Sequence, residues 1–165
     1  RYYKFRYIYK NYLKKKINSK IIKNLDHEFD EFVLNKIDVL KISATLKRFL
    51  KLKKKYNFYV STSTPTKKIK VILKKKKIFN YFDNIYGSPK KKVQHIKLIK
   101  RNKKMTIFIG DSIDDFYSAK STNIKFLLKI NSENKLFRKT NTKLLKINSF
   151  KNLDKIISSV SNEKK

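Results

Sequence analysis

"MTIFIGDSIDDFYSAK" (105–120) runs from an apolar segment through Gly110 into a stretch holding Asp111, Asp114 and Asp115. The chain has 12 acidic residues and two glycines in all, so one glycine and three acids within six residues mark a special place. A short apolar run bounded by glycine reads as a buried strand, and "IDDFYSAKST" after it reads as a helix. The unit is therefore a strand, a turn and a helix.

The same pattern occurs twice more. "NFYVSTST" leads to Pro65 and "PTKKIKVILKKKK", and "YFDNIY" leads to Gly87, Pro89 and "PKKKVQHIKLIKR". Two glycines and two prolines are far below ordinary usage, so these four residues stand out as junction markers. Thr64 and Ser88 are expected to cap the helices that the two prolines open. A further strand is expected at "IKFLLKI" (124–130), and a short strand or loop with a terminal helix at "INSFKNLDKIISSV". Strands alternating with helices predict an α/β fold with a parallel sheet, whose ligands bind beyond the carboxyl ends of the strands.

The first part of the chain differs. In "YYKFRYIYKNYL", Phe5, Ile8, Tyr9 and Tyr12 fall at helical spacing, and Phe29, Phe32, Val33 and Lys36 do much the same. "SATLKRFLKLKKK" (43–55) reads as a third helix leading into the first strand. The expected division is a helical segment over 1–42 and an α/β core over 43–165. No internal repeat is seen.

Composition bounds the function. The chain has no cysteine, which excludes disulfides and thiolate metal sites, and no apolar stretch of membrane-spanning length. A cytoplasmic location is the expectation. The net charge of +32 invites nucleic-acid binding, but only five of 44 basic residues are arginine and the lysines are spread along the chain. High Lys, Ile and Asn with few Ala, Gly and Pro fits drift toward AT-rich codons, with the charge on solvated faces. Non-specific nucleic-acid binding follows from such a charge; specific binding is not expected.

Three places carry chemistry. Hydroxyls and amides at 61–64, ahead of a helix, suit a phosphate. Lysines open the helix after Pro89, where the helix dipole disfavours positive charge unless an anion is near. Asp111 and Asp115, one turn apart, can hold Mg²⁺ through oxygen ligands. Asp114 projects about 100° away and reads as a helix-start acid. His27 and His95 read as surface or half-buried helix residues.

Hydroxyl, lysine and paired aspartates, in that order after successive strands, resemble the haloacid dehalogenase superfamily of phosphohydrolases. In "FYVSTSTP" the hydroxyl position falls on Thr62, with Ser61 the alternative and Ser63 beside them. In "YGSPKKKVQHI" the lysine position falls on Lys92. "GDSIDD" supplies Asp111 and Asp115. The helical first part is similar to the small cap of phosphoglycolate-phosphatase-like members.

The resemblance implies a Rossmann-like sheet and Mg²⁺-dependent hydrolysis of a small phosphorylated metabolite through an aspartyl-phosphate. Thr62 and Lys92 would act on the transferring oxygens, and Asp111 would hold the metal. Asp115 would ligate the metal or orient Lys92, and the cap would close over the site. One departure stands out: no apolar strand followed by Asp-x-Asp precedes residue 57, and Asp26, Asp30 and Asp38 lie in helix-like surroundings. With a start at Arg1, the expectation is a piece of a longer protein whose first core strand is missing. A degenerate relative is the alternative. The competing function class is a non-catalytic basic α/β module that binds nucleic acid or a protein.

Overall fold

The computed structural model describes residues 2–101 and 105–162; Arg1 lies outside them. The chain forms two compact units, Arg1–Lys41 and Ile42–Lys165. The first is a pair of helices, α1 (Tyr2–Asn11) and α2 (Ser19–Val39). Asn18 caps α2 by accepting from the Ile21 amide at 2.9 Å. The Tyr2 hydroxyl donates to Asp26 at 3.1 Å and ties the pair together. The expected apolar faces are only partly realised: Ile8, Tyr12, Phe29 and Phe32 are exposed, and the buried position of α2 is Ile22.

The second unit alternates helix and strand as the sequence predicts. Helix α3 (Ala44–Leu50) continues as a 3-10 turn, then β1 (Tyr59–Pro65), α4 (Thr66–Lys75), β2 (Asn84–Ser88) and α5 (Lys92–Lys100) follow. Next come β3 (Ile107–Gly110), α6 (Ile113–Ser121), β4 (Lys125–Lys129), α7 (Lys135–Thr140), β5 (Lys146–Ile147) and α8 (Leu153–Asn162). The sheet is in two pieces, β1–β2 and β3–β4–β5, and all the ladders are parallel. The core follows that division. Leu50 packs with Leu73, Ile78 and Ile85 under the first piece, whereas its neighbour Phe49 packs with Leu127, Ile147 and Leu153 under the second. Adjacent residues of one short helix thus serve both pieces. Among the described residues no helix is long and apolar enough to cross a membrane.

The junctions form differently from the expectation. Thr64 lies within β1, and α4 starts after Pro65 with no side-chain cap. Ser88 ends β2, Ser88–Pro89 is a cis peptide, and α5 begins later, after Lys91. The reason is space. A Cβ on Gly87 would lie 2.3 Å from the Thr64 carbonyl oxygen and 2.7 Å from the Thr66 nitrogen, so β1 and β2 stay close past the point where a cap would form. Between Ser61↔Tyr86 and Pro65↔Ser88 the register slips, so 62–64 bulge out of the ladder.

Candidate active site

The carboxyl ends of the strands bring together most of the residues singled out in the sequence. Lys92, in the first turn of α5, points its amine at two acids of the first turn of α6. Its Nζ lies 2.8 Å from Asp115 Oδ1 and 2.8 Å from Asp114 Oδ2. These acids are the anion that makes a helix-start lysine favourable, since the α5 dipole alone opposes it. Asp114 is therefore more than a helix-start acid: it shares the lysine, a contact that helical spacing alone could not show. The Lys92 side chain is 14% exposed and that of Asp115 is 8% exposed. Burial disfavours the ammonium most strongly, but hydrogen bonds to Asp114 and then Asp115 outweigh it, and the pKa rises above 10.5. The stability from this pairing is present below that ordinary value and is lost as pH rises through the raised one.

Asp115 is fixed by its own turn. Its Oδ2 accepts from the Ser112 amide at 3.1 Å and from the Ser112 hydroxyl at 2.6 Å, while its own amide donates to Ser112 Oγ at 3.1 Å. This is a reciprocal cap. Gly110 is needed for the close approach: an added Cβ would fall 2.5 Å from the Asp115 Cβ and 2.7 Å from its Oδ2. Its φ is not positive, so the role expected of it as a turn former is replaced by one of room.

Asp111 is exposed, at the end of β3. Its Oδ2 accepts from Asn131 Nδ2 at 2.9 Å, and its carbonyl accepts from Asn134 Nδ2 at 3.0 Å. The two asparagines also bond each other's amides, at 3.2 and 2.9 Å. Sequence reading missed them. "NSEN" follows the fourth strand at the same carboxyl edge, so the rule that found the other junctions also points here.

The hydroxyl segment is held from another direction. Ser61 Oγ lies 3.0 Å from His95 Nδ1, and the imidazole stacks on Tyr86 with centroids 5.6 Å apart. His95 is fully buried, which corrects the surface reading, and its Nε2 has no hydrogen-bond partner. Burial is the main cause of its lowered pKa. The Gly87 backbone favours the charged form without making a full hydrogen bond, and Lys90 and Lys92 disfavour it. The ring is neutral at pH 7. Thr62 Oγ1 accepts from the Thr64 amide at 3.2 Å, and Ser63 is exposed on the bulge. Ser61 is thus turned toward α5, and Thr62 and Ser63 sit on the bulge. Lys92 and His95, one turn apart, connect the hydroxyl side to the acid side.

Among the described residues, no group of three or more histidines or acids converges as a metal-binding set. Magnesium needs less than that from a protein, because it keeps several waters and takes one or two carboxylates with a substrate phosphate. Asp111 fits this demand with an exposed carboxylate. Asp115, as placed, is engaged by Ser112 and Lys92.

The family model described as haloacid dehalogenase-like hydrolase matches residues 3–129. The chain belongs to this family. No curated protein matches it. Two solved structures share the haloacid dehalogenase-like fold. One is a haloacid dehalogenase-like family hydrolase from Streptococcus pneumoniae, at 20% identity and a TM-score of 0.67, with 86% of this chain and 72% of that one covered. The other is a candidate phosphatase from Clostridium difficile, at 23% identity and a TM-score of 0.68, with coverages of 92% and 76%.

Proposed function

We propose that this haloacid dehalogenase-like hydrolase is a Mg²⁺-dependent phosphatase of small phosphorylated metabolites, working through an aspartyl-phosphate. The observation that carries the reading is the largely covered Lys92 held by Asp114 and Asp115, at the carboxyl edge that also bears Asp111 and the 62–64 bulge. The lysine is kept charged by Asp114 and Asp115, which hold its amine at the carboxyl edge where such sheets bind ligands. Thr62, with Ser63 beside it, offers a hydroxyl and bulge amides to the phosphoryl oxygens, whereas Ser61 anchors the segment on His95. Asp115 orients Lys92, and Asp111 is the carboxylate that would hold the metal, with Asn131 fixing its rotamer. Bound magnesium would supply charge neutralisation between an anionic nucleophile and the phosphate. The attacking carboxylate forms a bond to phosphorus as the ester oxygen leaves with a proton from a second acid. Water then releases phosphate from the acyl-phosphate. Both acids would come from polypeptide outside these 165 residues. The helical unit 1–42 is proposed as part of a substrate-selecting cap, and 43–165 as the catalytic core.

The test is release of p-nitrophenol from p-nitrophenyl phosphate, using the protein expressed with the coding sequence that adjoins these residues. Chelation of Mg²⁺ and Asp111→Ala should each abolish turnover, by about 10³-fold or more, on the scale of losing a main electrostatic stabiliser. Full activity in Asp111→Ala would overturn the assignment.

A further inference from the structure

Asp111 is an exposed carboxylate, yet its side chain is held from below. Water satisfies an exposed acid about as well as a protein donor does, so a built support under one calls for a reason other than stability. The support starts at Asn134, which is 6% exposed and has both amide hydrogens and the carbonyl oxygen of its side chain in use. Its Nδ2 donates to the Asp111 carbonyl at 3.0 Å and to the Lys129 carbonyl at 2.8 Å, just beyond the paired Gly110 and Leu128 of β3 and β4. Its Oδ1 accepts from the Asn131 amide at 3.2 Å. One buried side chain thus ties two strand ends to the turn at 131. Helix α7 takes no support from it, because Asn134 makes no side-chain cap there. Asn131 is held in turn. Its Oδ1 accepts from the Asn134 amide at 2.9 Å, which settles the sense of the side chain: Nδ2 faces Asp111 and donates to Oδ2 at 2.9 Å. Among the described residues, none donates to Asp111 Oδ1.

We propose that Asn131, braced by Asn134, is a positioning residue of the metal site. It leaves Asp111 one free oxygen and so selects Mg²⁺ over Ca²⁺, a role that rests on the phosphatase reading of Asp111 as the metal carboxylate. The two ions ask different things of a carboxylate. Mg²⁺ is small, demands near-octahedral geometry and keeps several waters, so a single oxygen from a side chain suits it. Ca²⁺ gathers about six to eight oxygens in flexible geometry, and a carboxylate that chelates with both oxygens helps it reach that number. With Oδ2 bonded to Asn131, Asp111 offers Oδ1 alone. Chelation through both oxygens has to sacrifice the Asn131 bond, a cost that falls on Ca²⁺ and spares Mg²⁺. The same bond holds the carboxylate in one rotamer in advance, so the side chain need not be ordered when the ion binds. Asn131 is no ligand itself, since the end it turns toward Asp111 is a donor.

The probe is Mn²⁺, which shares the carboxylate and water ligands of Mg²⁺, on the protein expressed with the coding sequence that adjoins these residues. Bound Mn²⁺ is followed by water-proton relaxation and displaced by Mg²⁺ or by Ca²⁺, which gives both affinities without a turnover assay. Asn131→Ala removes the donor, and Asn131→Leu removes it with the volume kept, so a folded variant is at hand if one of them is unstable. The expected result is Mg²⁺ affinity weaker by about tenfold or more, the scale seen for partners of metal ligands, with Ca²⁺ affinity changed by about threefold or less. A smaller loss for Mg²⁺ overturns the proposal. So does a larger loss for Ca²⁺, which would mark Asn131 as a support of its turn and nothing more. Asp111→Ala tells the two inferences apart. Loss of Mg²⁺ binding in Asp111→Ala with Asn131→Ala unaffected sinks the role of Asn131 and leaves Asp111 as the metal carboxylate. Unchanged Mg²⁺ affinity in Asp111→Ala, or no Mn²⁺ binding by the unsubstituted protein, sinks both.

Discussion

The β1–β2 piece of the sheet and the β3–β4–β5 piece hold their site residues by different means. On the β3 side Asp115 is fixed within its own turn by Ser112, and Asp111 is held by Asn131 and Asn134, 20 and 23 residues on, which brace each other. On the β1 side the hydroxyls sit on a bulge and are anchored through Ser61 to a buried histidine 34 residues away. Asp115 thus has a support inside its own turn, whereas Ser61 depends on a ring brought in from another helix. Charges demand donors wherever the chain places them, so local capping is their most dependable support, whereas a neutral hydroxyl can be left to the tertiary fold.

The two glycines test this contrast most directly. In the β1–β2 half, a Cβ at Gly87 strikes backbone atoms that cannot step aside, and Gly87→Ala is expected to cost about 3 kcal/mol. In the β3 half the obstruction is the Asp115 side chain, so Gly110→Ala is expected to cost about 1–2 kcal/mol. Urea unfolding midpoints at constant slope give both values. An equal or larger loss for Gly110→Ala would break the contrast.

Within the acid cluster the same comparison can be sharpened. Asp115→Asn leaves Lys92 with only the exposed Asp114, and about 2 kcal/mol is expected, below the usual cost of breaking a buried pair because one partner remains. Asp114→Asn, at a side chain 70% exposed, is expected to change stability by less than about 1 kcal/mol. Similar values for the two, from paired denaturation curves, would mean that the buried and exposed acids hold the lysine alike.

On the neutral side the expected effect is one of pH. The pKa of His95 is lowered in the fold, so below its ordinary value of 6.5 the unfolded chain takes up a proton that the folded chain does not. Its contribution therefore falls as pH drops from 6.5 toward the lowered value and is constant below that. His95→Gln keeps a hydrogen-bonding group for Ser61 and should flatten the stability profile there by at most about one proton, or 1.4 kcal/mol per pH unit. An unchanged slope would show that the imidazole is not buried as a neutral ring.

Much of the site is legible in the sequence because strand periodicity and turn chemistry are local. "MTIFIGDSIDD" announces a strand end with acids, and the carboxyl-edge rule brings Ser61, Thr62, Lys92 and Asp111 to one side. The fourth strand obeys the same rule at Asn131 and Asn134, although asparagines in so asparagine-rich a chain do not draw the eye. The misplaced caps at Thr64 and Ser88 have another origin. Local preference favours a cap there, but Gly87 lets β1 and β2 stay close, and the chain continues extended.

The sequence by itself determined the order of strands and helices in the α/β part and the parallel sense of its sheet. Each of these follows from patterns a few residues long. Only the tertiary structure decided that Asp114 shares Lys92, that His95 is buried against Ser61, and that the sheet opens between β1 and β3. Those depend on which distant surfaces pack together, and neither helical period nor turn propensity carries that information.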